Sequence, residues 1–101
     1  MEQQFKHIKQ MEHILNQMNE LMETLRTTHA QWAEVQADYD ALVSYYGSAQ
    51  WHADNEAYDR GEIPKELPCG VLSEDAVFNL IAEQQAVAVE FVKLGAEILS
   101  K

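Results

Sequence analysis

Apolar side chains recur at alternating spacings of three and four residues along the first 46 positions of the chain. This spacing places them on one side of an α-helix, as the inner seam of a coiled coil or helical bundle. No proline or glycine precedes Gly47, so we predict one helix from about residue 4 to 46. The seam consists of Met11, Ile14, Met18, Leu21, Leu25, Thr28, Trp32, Val35, Tyr39, Leu42 and Tyr46.

Two further features define where this helix can break and where it ends. The stretch Arg26-Thr27-Thr28-His29 is its weakest part, because β-branched and polar residues occupy seam positions there. With no breaker residue present, we predict that the helix continues through it. Gly47 suits a left-handed C-terminal cap, and Ser48 can then cap a short helix of about residues 49–58. A connector follows, residues 59–72, and its part from Glu62 to Cys69, which contains Pro64 and Pro68, is predicted to be extended.

A second heptad seam follows the connector. Ser73 opens a predicted helix of about residues 74–99, and Glu74 and Asp75 in its first turn complement the helix dipole. The seam residues are Val77, Leu80, Gln84, Val87, Phe91, Leu94 and Ile98. The predicted fold class is therefore all-α, in one domain of residues 1–101. It has a long N-terminal helix, a short middle helix and loop, and an antiparallel C-terminal helix, as in a helical bundle or coiled-coil-like hairpin.

The two long helices differ in predicted length, roughly 65 Å against roughly 39 Å at 1.5 Å per residue. An antiparallel last helix would cover the first one from about Met18 to Tyr46. Apolar residues closer to the N-terminus would then lack a partner within the chain, which usually marks an interface. We therefore expect a homodimer whose long helices pair through their N-terminal halves, either parallel or antiparallel. We call the residues concerned the N-terminal seam: Ile8, Met11, Ile14 and Leu15.

Charge and composition restrict the partners. The chain has 101 residues, is 47% hydrophobic and carries a formal net charge of -10. An excess of acid disfavours binding to nucleic acid and to anionic membranes. Cys69 is the only cysteine, so no internal disulfide can form. The N-terminus has no signal-peptide pattern and no apolar run is long enough to span a bilayer. We expect a cytoplasmic protein.

Acidic residues concentrate in the middle of the chain, where they predict a surface for a basic protein partner or a cation. The favoured interpretation is a solvated loop that keeps the protein soluble and has no binding role. The spacing does not match a calcium-binding loop, since Asp59 stands where that loop needs glycine. The residues of this acidic surface are Asp54, Glu56, Asp59 and Glu62.

Other candidate chemistry is weak. His52 and Glu56 are four residues apart and could share one helix face as metal ligands, but a zinc site needs at least three protein ligands. We therefore predict no metal and no cofactor. Cys69 has no positioned base in its local sequence and is expected to be a passive thiol. No nucleophile elbow, phosphate loop or other catalytic motif occurs, so we predict that the chain is not an enzyme.

Aromatic residues cluster in sequence around the first turn. Aromatic walls with hydroxyl groups can line a small-molecule pocket, although they more often fill the end of a small bundle. Packing is the favoured interpretation and a ligand pocket the alternative. The pocket candidates are Tyr39, Tyr46, Trp51 and Tyr58.

Residues at the turns, caps and connector form a fairly specific pattern. They are Tyr45-Tyr46-Gly47-Ser48, Trp51, Ile63-Pro64-Lys65, Gly70-Val71-Leu72-Ser73-Glu74-Asp75-Ala76 and Asn79-Leu80. In this pattern the chain resembles a small all-helical family of domains of unknown function, mainly from Gram-positive bacteria. The resemblance covers roughly Met11 to Phe91. It implies a bacterial, intracellular protein and transfers no catalytic residue.

Two functions remain open from the sequence. The first is a non-enzymatic, dimeric helical module for protein–protein interaction, which rests on the unpartnered N-terminal seam and the strongly apolar last helix. The alternative is a small-molecule or metal-binding helical module built on the aromatic residues near the first turn.

Overall fold

The computed structural model describes residues 2–101, and side chains from residue 3 onward. Three α-helices follow one another: α1 (Glu2–Tyr45), α2 (Ala49–Asp59) and α3 (Ala76–Leu99). A short 3-10 turn, Gly70–Leu72, precedes α3. The described residues contain no β-strand. The predicted all-α class, with long first, short middle and long last helices, is confirmed.

The first helix is uninterrupted through the stretch 26–29 that the sequence marks as its weakest part. No residue there forces a break, because polar and β-branched residues lower helix propensity by only a few tenths of a kcal/mol each. By its internal contacts the chain divides into a first unit that ends at Tyr39 and a second unit, Asp40–Lys101.

The first unit is a single helix and therefore has no core of its own. Ten of its large apolar side chains are between 38% and 56% exposed. The exposed stretch includes the N-terminal seam and continues beyond it. It comprises Phe5, Ile8, Met11, Ile14, Leu15, Met18, Leu21, Met22, Leu25 and Val35. A single helix cannot bury one of its faces by itself.

The second unit has well-defined helix ends around α2. Gly47 adopts φ 78° after α1, and the Ser48 hydroxyl accepts the backbone N–H of Trp51 at 3.1 Å, as an N-cap does. At the far end Gly61 adopts φ 72°, and the Glu62 N–H donates to the Ala57 carbonyl at 3.0 Å. This is a Schellman-type ending, which requires the left-handed conformation that glycine adopts without steric cost.

The connector and the start of α3 differ from the sequence-based expectation. The connector turns rather than extends, since the Leu67 N–H donates to the Pro64 carbonyl at 3.1 Å. Ser73 does cap the next segment, because its hydroxyl accepts the Ala76 N–H at 3.1 Å. The regular helix begins only at Ala76, however, and Glu74 and Asp75 form the turn before it. Helix starts assigned from a cap and from the hydrogen-bond ladder commonly differ by this amount.

The buried core of the second unit is small and lies where α2, the 3-10 turn and the first turn of α3 meet. Its residues are Trp51, Leu72 and Val77, which are 7%, 6% and 3% exposed. Beyond Val77, α3 leaves most of its large apolar side chains at the surface. They are Phe78, Leu80, Val89, Phe91, Val92, Leu94, Ile98 and Leu99.

Candidate functional site

Trp51 is the central side chain of the second unit. Its indole N–H donates to the Val71 carbonyl at 3.0 Å, and its ring meets the edge of Tyr46 at a centroid distance of 5.4 Å. The Ser48 cap fixes the first turn of α2 and so the direction in which the indole leaves the helix. A buried indole N–H needs an acceptor, and the 3-10 turn supplies it.

Two more side chains donate to the same stretch of backbone. Asn55, one helical turn after Trp51, donates its amide to the Leu72 carbonyl at 2.8 Å. The Tyr46 hydroxyl donates to the Glu74 carbonyl at 2.6 Å. These three side chains thus bond to three carbonyl groups within residues 71–74. We call Tyr46, Trp51 and Asn55 the turn clamp. The turn clamp fixes the backbone that leads into α3 to the end of α1 and to α2.

A second polar contact joins the end of α1 directly to α2. The Tyr45 hydroxyl donates to an Asp54 carboxylate oxygen at 2.6 Å, and Gln50 donates to the other oxygen at 2.8 Å. The hydrogen bond to Asp54 raises the pKa of the Tyr45 phenol to about 12. The same bond, assisted by that from Gln50, lowers the pKa of the Asp54 carboxyl. Asp54 is therefore an internal acceptor as well as a member of the predicted acidic surface.

Arg60 forms ion pairs with two other members of the acidic surface, Glu56 and Glu62. Its guanidinium donates twice to Glu62, at 2.9 and 3.2 Å, and lies 4.0 Å from Glu56. The hydrogen bonds to Glu62 raise the pKa of the guanidinium further. Asp59 is exposed. The acidic surface thus has less unpaired charge than its sequence indicates.

The four predicted pocket aromatics do not share one environment. Tyr46 and Trp51 belong to the turn clamp, with their polar atoms donating to backbone carbonyls. Tyr58 is 53% exposed. It lies instead on an open depression of about 520 Å³ formed by the connector. Tyr39 is the last residue of the first unit.

This depression is lined by apolar and polar residues together. Besides Tyr58 they are Gly61, Ile63, Pro64, Lys65, Leu67, Cys69, Gly70 and Ser73. The Cys69 thiol donates to the Leu67 carbonyl at 3.2 Å.

The predicted metal ligands lie on the exposed side of α2. The His52 ring packs edge-on against Trp51 at 5.1 Å, and Glu56 faces Arg60. Across the part of the chain that the structure describes, no three His, Cys, Asp or Glu side chains come together as a metal site would require. Two ligands on one helix face do not by themselves make a zinc site.

Sequence reasoning missed several residues of this region. Asn55 was not singled out, and Tyr45 was named only within the turn pattern, although each makes a hydrogen bond that joins elements. Asn55 had a usable signal, since it follows Trp51 by four residues and so shares its helix face. Tyr45 and Asp54 had none, because nothing in the sequence indicates the angle between α1 and α2.

Comparison with known proteins gives a match to a family model. The model of a domain of unknown function (DUF4298) matches residues 8–94. No curated protein and no solved structure matches the chain. Among residues 2–101, no helix combines the length and hydrophobicity that crossing a membrane requires.

Proposed function

Because the chain belongs to the DUF4298 family, a domain of unknown function, we propose a function from its own residues. It is a homodimeric helical module for protein–protein interaction. The module is non-enzymatic in this proposal. Two copies pair through the N-terminal seam of α1, and each copy presents its second unit to other proteins.

The exposed apolar stretch of α1 is the observation that supports this proposal. Ile8, Met11 and Leu15 are each more than half exposed, and the stretch continues through Leu25. Soluble monomers rarely expose a contiguous apolar patch of more than a few hundred Å². A second copy supplies a matching stripe by symmetry, because a twofold interface uses the same patch on both subunits.

The second unit supports the interaction role. In the turn clamp, one donor each of Tyr46, Trp51 and Asn55 is bonded to a backbone carbonyl, which supports a structural role for these side chains. For the same reason, no specific observation favours the alternative of a small-molecule or metal-binding module.

The setting of this module is part of the proposal. We place it in the bacterial cytoplasm, as the family resemblance and the single cysteine imply. The net charge of -10 supports a protein partner with a basic surface. The same charge argues against nucleic acid and anionic membranes as partners. Asp59, which is exposed, and the carboxylates beside Arg60 form the part of the acidic surface that such a partner would meet.

Sedimentation velocity over a range of concentrations tests the dimer. We expect wild-type protein to sediment as a dimer at micromolar concentration. The double variant Met11→Asp/Ile14→Asp places two charges in the N-terminal seam and is expected to be monomeric. The matched control, Asn16→Asp/Asn19→Asp, adds the same charge to positions outside the seam and should leave the dimer intact.

Two results would contradict the proposal. Wild-type protein that remains monomeric up to high micromolar concentration would exclude self-association through α1. Equal weakening by the seam variant and by its control would show that charge, rather than seam packing, determines association.

A further inference from the structure

Three of the four methionines of the chain lie on the apolar face of α1. They are Met11, Met18 and Met22. Each residue advances by about 100° around an α-helix of 3.6 residues per turn, so these three positions fall within about 40° of one another. The three side chains therefore form a single row along the helix, and we call them the methionine row.

The methionine row runs along the middle of the apolar face. By the same helical spacing, Ile14, Leu21 and Leu25 lie on one side of the row. Ile8 and Leu15 lie on its other side. In a pair of helices that meet through this face, the middle of the face is removed from water most completely. The centre of the contact is thus made of thioethers, and its borders are made of branched hydrocarbon side chains.

The side chains of the methionine row are open to solvent in a single copy. Met11, Met18 and Met22 are 56%, 47% and 42% exposed. A reagent that attacks thioethers therefore has access to them while the copies are separate, and pairing through α1 would shield them. The oxidation of methionine to its sulfoxide is the reaction to consider, because it converts a flexible apolar side chain into a polar one.

The oxidation transfers one oxygen atom from a hydroperoxide to sulfur. A lone pair of the thioether sulfur attacks one peroxide oxygen, and the S–O bond forms as the O–O bond breaks. The transferred oxygen gives its proton to the departing hydroxide, which leaves as water when the oxidant is hydrogen peroxide. Sulfur loses two electrons and the peroxide gains them. The product is a sulfoxide, whose oxygen accepts hydrogen bonds.

A sulfoxide in the middle of this face would oppose pairing. The neighbouring side chains on both sides of the row are hydrocarbons, which supply no hydrogen-bond donor to the new oxygen. Burial of a polar group without a hydrogen bond is unfavourable, whereas the same group is solvated when the copies are separate. A twofold contact brings together the rows of both copies, so each oxidised position acts twice.

We propose that the methionine row makes self-association through α1 sensitive to hydroperoxides. Reduced methionines permit two copies to pair, and their sulfoxides keep the copies apart. Methionine sulfoxide reductases regenerate the thioether, so the change is reversible. This inference rests on the self-association proposed above and adds to it a means of regulation.

Peroxide treatment followed by sedimentation velocity tests the inference. Wild-type protein is treated with millimolar hydrogen peroxide, and mass spectrometry of its peptides gives the extent of oxidation at each methionine. We expect self-association to be at least about tenfold weaker once the methionine row is oxidised. Subsequent treatment with methionine sulfoxide reductases A and B and dithiothreitol should restore it, because each enzyme reduces one of the two sulfoxide epimers.

Two variants separate the methionine row from other oxidisable groups. The variant Met11→Leu/Met18→Leu/Met22→Leu keeps the face apolar but has no sulfur in it. It should associate like wild type both before and after peroxide, although Met1 and Cys69 can still be oxidised. The variant Met11→Gln/Met18→Gln/Met22→Gln places a polar amide at each position of the row, and it should associate weakly without any oxidant.

Three results would overturn the inference. The first is wild-type protein that carries all three sulfoxides and associates as before. The second is a leucine variant that dissociates on treatment with peroxide, because the sensitive residue would then lie elsewhere. The third is wild-type protein that is monomeric before any oxidant is added, which removes the proposed self-association itself and is recognised at that first measurement.

Discussion

Tyr45, the last residue of α1, donates its hydroxyl to Asp54 in the middle of α2 at 2.6 Å. The bond joins two helices that are separated by only three residues in the chain, and so it restricts the angle at which α2 leaves α1. Gln50 shares the carboxylate. Because α2 carries two members of the turn clamp, this angle also determines where the backbone before α3 is held.

Removal of this bond should destabilise the second unit. We expect Tyr45→Phe and Asp54→Ala each to lower the urea midpoint of unfolding. The double variant should be little worse than Asp54→Ala alone, because both changes remove the same hydrogen bond. A double-mutant cycle by circular dichroism measures the coupling. Tyr58→Phe is a matched control, since Tyr58 is exposed and lies at the connector. Strict additivity of the two changes would contradict the prediction.

The same pair predicts how stability depends on pH. The pKa of Asp54 is lowered from 3.8, so its contribution is present above that value and is lost as the pH falls through the lowered pKa. The pKa of Tyr45 is raised from 10.0 to about 12, so its contribution is present below pH 10 and is lost as the pH rises toward 12. The difference in unfolding midpoint between wild type and Tyr45→Phe should therefore be constant at neutral pH and vanish at both extremes. A difference that persists at pH 2 or increases above pH 10 would exclude this origin.

Trp51 should stabilise the second unit through its indole N–H as well as through its ring. Trp51→Phe keeps an aromatic ring in the core but leaves the Val71 carbonyl without its donor, and we expect a cost of about 1–3 kcal/mol. Urea unfolding followed by circular dichroism gives the value. Tyr58→Phe, at a position that is 53% exposed, is the comparison and should cost less. Equal costs at the two positions would count against the turn clamp.

Substitution by alanine should change the stability of the protein in opposite directions at two glycines. Gly61 adopts φ +72° at the end of α2, where alanine is strained although no atom lies within 4 Å of the added methyl. We expect Gly61→Ala to destabilise by about 1 kcal/mol. Gly95 lies within α3 with equally open space and no positive φ, so Gly95→Ala should stabilise by roughly 0.5–1 kcal/mol through helix propensity. Thermal unfolding of the two variants checks both signs. Destabilisation by Gly95→Ala that increases with protein concentration would indicate that the methyl group disturbs an interface on α3.

The helices themselves could be predicted from the sequence because their causes are local. A heptad spacing without breakers produced α1, and Gly47 and Ser48 marked the turn into α2 within two residues. The predicted start of α3 was two residues too early, because Ser73 caps a turn that precedes the regular helix. Each of these features depends on residues no more than five positions apart.

The turn clamp depends instead on positions far apart in the chain. Trp51 and Val71 are 20 residues apart, Asn55 and Leu72 are 17 apart, and Tyr46 and Glu74 are 28 apart. No local pattern predicts that an indole and a particular carbonyl will form a hydrogen bond. The sequence therefore favoured a packing role for Trp51 and Tyr46 but did not identify their hydrogen-bond partners.

The sequence by itself determined which residues form helices, where glycine and serine end or begin them, and which side chains are apolar, because those properties belong to short stretches of chain. Only the tertiary structure decided which of those apolar side chains are covered. Val77 is buried while Leu94, on the same seam, is 57% exposed. Periodicity identifies a face that favours burial, but burial requires a neighbouring element at the right distance, and that distance follows from the hydrogen bonds of the turn clamp.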